Sequence, residues 1–298
     1  MSFFLVLRRP LLLIATAFWV LFSQSAHAQI SVSIQVKRSS FLPHEPILAT
    51  VSLTNLSGRP LLLEDDRFQW FGFQIFPGTS DEPIAPRNPD YHLAPLAINA
   101  GESLKRAVNL NSLFPLGEQG RYRVKALIYS KQLDKHFASK ADLFDIEEGK
   151  LLWRQKVGVP EGSPNAGDTH TFSVLNGMAG SHEYAYARVE DPHTGTVFCT
   201  LQLGEIIENS RPDVQLDTAN NLFVLQLTAP KSYLLSKIGV NGEFLGQTRY
   251  SSKKSKPFLR RLPTGELQIV GAYRESAPPT AAAAPDTKLS DRPADLPQ

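Results

Sequence analysis

Three features of the sequence predict an all-β protein. From Ile30 to Lys37 apolar and polar residues alternate strictly, Ile30, Val32, Ile34 and Val36 against Ser31, Ser33, Gln35 and Lys37, which is the period of a half-buried strand. Turn-forming clusters then recur at the spacing of short strands, and no stretch sustains a helical period. Finally, Tyr184 to Tyr273 reads as one β-meander written twice. Tyr186 and Gly195 recur 47 residues later at Tyr233 and Gly242, and Pro212 and Leu222 recur 45 residues later at Pro257 and Leu267.

Taken in order, the chain opens on Arg8 and Arg9, an apolar run of 12 residues from Leu11 to Phe22, and Ala26-His27-Ala28. This is the pattern of a cleaved secretory signal peptide over residues 1–28, with the mature chain expected to start at Gln29. The run is too short for the roughly 20 residues that span a bilayer. Removing Arg8 and Arg9 from 31 basic residues leaves 29 against 29 acidic ones. A neutral mature chain gives no electrostatic case for a nucleic-acid partner. No second long apolar run follows, so no transmembrane segment is expected after signal cleavage.

Further strands are expected at Ile47 to Leu53, Leu61 to Leu63, Phe68 to Phe76, Tyr91 to Ile98, Leu104 to Leu110, Arg121 to Ser130 and Phe137 to Ile146. Their spacing of about 8 to 12 residues is that of a sandwich. A polar stretch near Glu148 is expected to end a first domain, residues 29–148. Leu151 to Val159 reads as a strand, 160–167 as a loop by its Pro and Gly content, and 149–275 as a second domain. Within it, hairpins are expected at His193-Thr194-Gly195, Ala219-Asn220-Asn221, Asn241-Gly242 and Thr264-Gly265, which tolerate positive φ. Residues 276–298 are rich in Pro and Ala and lack aromatics, the composition of a disordered tail.

Two local patterns refine the fold class. The run Gly120-Arg121-Tyr122-Arg123-Val124 resembles the Gly-x-Tyr-x-Val start of a late strand in immunoglobulin-like and fibronectin-like domains. There the tyrosine hydroxyl ties the corner to backbone. Phe41 to Asn55, a Pro-rich loop and a strand ending in Thr-Asn, resembles the opening of bacterial immunoglobulin-like modules, macroglobulin-type ones included. The repeat of 45 to 47 residues is similar to propeller blades. The upstream residues leave no room for a full ring, so two four-stranded, blade-like meanders are expected to pack on each other or on the first domain. The fold class expected is therefore an immunoglobulin-like β-sandwich followed by a second β domain of such meanders. The whole chain also resembles exported bacterial proteins, a resemblance that implies no activity and no site residues.

Phosphate-cradling loops, nucleophile elbows and paired cysteine motifs are absent from the sequence. Cys199, the one cysteine, lies in the apolar run Val197-Phe198-Cys199 and reads as a small buried hydrophobe. Asp168 and His170, and Asp191 and His193, are two residues apart. On a strand each pair would offer a carboxylate and an imidazole to one metal, with His182 as a fifth ligand. The opposing reading places them in loops as turn formers and solvated imidazoles. Lys253, Lys254, Lys256, Arg260 and Arg261 form a basic run without acids, suited to an anionic envelope polysaccharide, lipid head groups or an acidic protein. Trp70, with Phe68, is a candidate stacking surface for a sugar ring, against the alternative of a buried central strand. The expectation is a periplasmic or extracellular, non-catalytic binding or interaction module of the cell envelope, without cofactor and with a protein or polysaccharide partner. The rival from another class is a metal-assisted hydrolase built on the Asp/His set.

Overall fold

The computed structural model describes residues 29–65, 68–89, 93–253 and 255–275. The expected signal peptide (1–28), Arg67, Tyr91, Lys254 and the expected tail (276–298) lie outside the described residues. The first half contains Ile30–Val36 (β1), Ser40–Phe41 (β2), Leu48–Asn55 (β3), Leu61–Leu63 (β4), Phe71–Pro77 (β5) and Leu96–Ile98 (β6). Ser103–Asn109 (β7), a single helical turn Leu110–Leu113 (α1), Gly120–Ser130 (β8), Lys135–Ala138 (β9) and Asp142–Ile146 (β10) follow. One sheet runs β1-β3-β7. The other runs β2-β10-β8-β5 with β9 also on β8, and β4 pairs with β6.

Period-two patterning explains why these sheets form two layers. Ala49, Val51 and Leu53 of β3 point one way and meet Val124, Ala126 and Ile128 of β8 and Phe144 and Ile146 of β10 in shared clusters. The expected Phe137 to Ile146 strand is two, β9 and β10, because Ser139 and Lys140 turn the chain; the Ser139 amide and hydroxyl hold the Ala126 carbonyl and amide. The helical turn has no sequence counterpart in a 3.6-residue period. It is capped by Asn109, whose Oδ1 accepts from the Asn111 and Ile47 amides. The Tyr122 hydroxyl donates to the Glu118 carbonyl at 2.7 Å, and its ring stacks on Phe144.

The second half contains Lys150–Gly158 (β11), Thr169–Ala179 (β12), His182–Glu190 (β13), Val197–Glu205 (β14), Asp213–Leu216 (β15) and Leu222–Ala229 (β16). It continues with Ser232–Ile238 (β17), Phe244–Ser251 (β18), Phe258–Arg261 (β19), Leu267–Val270 (β20) and Tyr273–Arg274 (β21). Two antiparallel meanders, β11-β12-β13-β14 and β15-β16-β17-β18 with β21 on β18, pack face to face, and β19-β20 forms a third, two-stranded sheet. Their common core joins Phe172, Val174 and Val189 to Leu222, Val224 and Ile238. Side-chain amides cross between the sheets: buried Gln226 Nε2 donates to the Gly204 and Glu205 carbonyls, and Gln247 Nε2 to the Leu203 carbonyl. All four expected hairpin joints are turns between paired strands, with Gly195, Asn220, Gly242 and Gly265 at positive φ.

The sheets are nevertheless cut differently from the sequence repeat. The repeated unit begins at β13 and β17, but each sheet begins two strands earlier, at β11 and β15. A tandem pattern carries period without phase. The phase is set where consecutive strands fail to pair, at the Pro212-containing link between β14 and β15.

A loop of the first half holds the second. Leu42, 2% exposed, packs with Leu175 and Tyr186. Gly177 lies mid-strand because a Cβ there would stand 2.8 Å from Leu42 Cδ2. The Pro43 carbonyl accepts from Arg188 and from the Thr200 hydroxyl. Glu45, 2% exposed, pairs with Arg38 and accepts from the Leu42 amide, and Arg38 also reaches the Tyr186 hydroxyl. Burial pushes the Glu45 carboxyl above its usual range, against the pull of Arg38 and the Leu42 amide.

Candidate binding groove

One concave feature among the described residues belongs to β5. Among the described residues this strand pairs with β8 alone, and its other edge is flanked by Ile84 at Ile75 and by Pro89 at the Gln69 side chain. The direction of each backbone group follows from the register. Tyr129 donates to the Trp70 carbonyl and Gly78 to Arg121, which turns the even-numbered residues of the strand toward β8. The odd residues therefore direct their N–H and C=O outward. At Ile75 that edge is already occupied, since the Ile84 amide donates to its carbonyl at 2.8 Å. At Phe71 and Phe73 no outward partner occurs among the described residues.

Alongside this window runs a groove of about 240 Å³. Gly72 and Leu127 form its floor, Tyr129 and His136 one wall, and Pro86, Leu113 and Phe114 the other. Gly72 is decisive. A Cβ placed there meets nothing within 4 Å, so the missing side chain leaves open space above Leu127, its partner across the sheet. Phe68, 53% exposed, packs edge-on against Tyr129 and His136, both at 5.3 Å. Most polar side chains nearby are engaged: Gln69 Nε2 donates to Pro89 and the Tyr129 hydroxyl to Asp134. Further along the same outer face, Arg123 and Lys125 lie over the Phe76 ring at 5.3 and 6.0 Å.

Comparison with protein families, characterised proteins and solved structures finds no match. The chain's own geometry therefore carries the reading.

Trp70 offers no stacking surface. It is 3% exposed, its indole N–H donates to the Leu93 carbonyl, and it packs with Leu61, Leu63 and Ile98. Alternation placed it beside Phe68 on one face. The strand starts only at Phe71, however, and Trp70 belongs to the preceding bend, where Asp65 Oδ1 accepts its amide. Phe68 alone keeps an exposed ring.

The Asp/His candidates do not come together. His170 is 1% exposed, donates from Nδ1 to the Val240 carbonyl at 2.8 Å and lies against Phe198. His182 sits at the far end of the β12-β13 hairpin, opposite Ala179, and bonds Glu205. Nine strand positions from His170 to Ala179 amount to about 30 Å. Asp191 is committed to its own turn, accepting from the His193 amide and the Thr194 hydroxyl, which lowers its carboxyl. Asp168 lies just before β12, where its carbonyl accepts from Val159. No group of three or more His, Cys, Asp or Glu among the described residues is placed to hold a metal ion.

The basic run follows β18 and enters β19. Lys253 lies over the Tyr273 ring, Lys256 is exposed, and Arg260 reaches Gln268. Arg261 is structural, donating to the Leu216 and Gly265 carbonyls and so tying β19 to β15. Cys199 is half-buried against Gly242, and burial pushes its thiol up to about 11. No helix among the described residues is long and apolar enough to cross a membrane.

Sequence reasoning did not locate the groove, because an edge strand is defined by sheet order and not by composition. One signal was available. A glycine inside a run of aromatics marks a place where another group approaches the backbone closely.

Proposed function

We propose that this chain is an exported, non-catalytic binding module of the cell envelope, and that its binding site is the groove beside β5. The observation that carries this is the apolar hollow over Gly72, bordered by Tyr129, His136 and Phe114 and running along the strand edge at Phe71 and Phe73. The first half acts as an immunoglobulin-like sandwich that presents the groove, a reading supported by the Tyr122 to Glu118 corner bond. The second half, clasped through Leu42 and Glu45, acts as a rigid support. Export is proposed from the Arg8, Arg9 and Ala26-His27-Ala28 pattern.

Site-specific photocrosslinking in cells tests the proposal. A benzophenone amino acid at Leu127 should give light-dependent adducts in the envelope fraction, and the same group at exposed Met178 should not. Equal adducts at both positions, or none at Leu127, would reject the groove as the site.

A further inference from the structure

We infer that the occupant of the groove is an extended polypeptide added as a strand to the edge of β5, with a large apolar side chain over Gly72 flanked by acidic residues. This rests on the binding-groove reading and goes on to name the ligand chemistry. Among the described residues, the groove leaves a row of backbone groups without partners. The N–H and C=O of Phe71 and Phe73 point outward at strand spacing, and Ile84 already uses the next position along. Such a row of donors and acceptors is matched by another strand. A sugar would instead draw on side-chain donors and acceptors, of which the Gln69 amide N–H and the Tyr129 hydroxyl are already engaged.

The pattern of the incoming strand follows from the pleat. Its residue opposite Gly72 faces outward over a position without a side chain, and there meets Leu127, Tyr129 and His136. A bulky aromatic fills that space. Residues two positions away share this face. One of them lies opposite Gln74, whose partner on β8 is Lys125, with its Nζ over the neighbouring Phe76 ring. Lys125 has no carboxylate within ion-pair distance among the described residues, and Arg123, which donates to the Ser80 carbonyl, has only the fully exposed Asp81 as its carboxylate neighbour among them. An acidic residue at that position is complementary in charge.

The probe is an end-blocked peptide, Asp-Val-Trp-Val-Asp, which stops short of the occupied Ile75 and, in antiparallel register, sets its two Val against Phe71 and Phe73 and an Asp opposite Gln74. Its control replaces both Val by Pro, removing the amides that would donate to Phe71 and Phe73. Binding is read by tryptophan fluorescence anisotropy and by chemical shifts of Leu127, Tyr129 and His136 in the mature chain. The Val peptide should bind and shift these signals, with affinity reduced at least about tenfold by the Pro substitutions, a change of about 1.4 kcal/mol. Gly72→Ile should fold as well as the parent, since its Cβ meets nothing, and should lose binding. Lys125→Glu should weaken it. Equal binding of both peptides would overturn strand addition. So would groove shifts from cellohexaose but not from the peptide, while leaving the groove reading intact. Silence with both ligands would remove both readings. Self-association of the chain that is abolished by Gly72→Ile and not displaced by the peptide would assign the edge to a second copy and overturn the inference.

Discussion

Truncating Leu42 to Ala tests the clasp that joins the two halves. Its side chain is 2% exposed and is seated among Leu175, Tyr186 and the backbones of Gly149 and Gly177. Buried Leu→Ala changes cost about 2–5 kcal/mol, more where the surroundings cannot collapse into the space left. Here two walls are main chain of β12 and its partner segment, and main chain follows a lost methyl poorly. The upper half of that range, about 3–5 kcal/mol, is therefore expected. At about 2–4 °C per kcal/mol for a chain of this size, the transition involving the interface should fall by roughly 6–20 °C. Because Leu42 connects the halves, differential scanning calorimetry of the mature chain should show one transition splitting into two. Gly177→Ala supplies a check. Its Cβ would press on Leu42 Cδ2 at 2.8 Å, so it should destabilise the parent and be nearly neutral once Leu42 is Ala, giving a non-additive double-mutant cycle. A loss below about 1 kcal/mol with an undivided transition, or strict additivity with Gly177→Ala, would refute the clasp.

Tyr122→Phe removes the corner bond to Glu118 but keeps the stacked ring on Phe144, and should cost about 1–2 kcal/mol in urea denaturation. Glu45 titrates above its ordinary value of 4.5 because it is buried. The folded chain therefore holds its proton more tightly, and this contribution to stability is full below pH 4.5 and lost as pH rises through the raised value. The urea midpoint of the parent relative to Glu45→Gln should accordingly fall as pH rises across that window, and a flat difference would contradict the buried carboxylate. Cys199, with its thiol raised to about 11, should resist an aromatic disulfide reagent at pH 8 until the second half unfolds, as followed by absorbance.

Much of the fold was legible because the residues responsible are close in sequence. The alternation of Ile30 to Val36 and the positive-φ residues at Gly195, Asn220, Gly242 and Gly265 act within a few positions, and β1 and all four hairpins are where those residues place them. The Tyr122 corner is equally local, since donor and acceptor are four residues apart. What could not be read depends on which strands become neighbours. Trp70 shares the parity of Gly72 but lies before the strand begins, so periodicity sent it to the wrong side. The Asp168, His170, His182, Asp191 and His193 set looked compact in sequence, but a long hairpin carries His182 away from the others. The loop around Leu42 resembled an ordinary Pro-punctuated connection. Its contacts lie more than a hundred residues away, at Leu175 and Tyr186. The groove was hidden for the same reason, and Gly72 was the one residue that pointed to it.

Amide hydrogen exchange along β5, residue by residue, tests the central claim most directly. In the mature chain alone, Gly72 and Gln74 should exchange slowly because they bond to β8, and Phe71 and Phe73 rapidly because their amides face outward. On adding the Val-containing peptide, Phe71 and Phe73 should become protected. Slow exchange at Phe71 and Phe73 in the free chain, or unchanged rates at saturation with the peptide, would contradict the account.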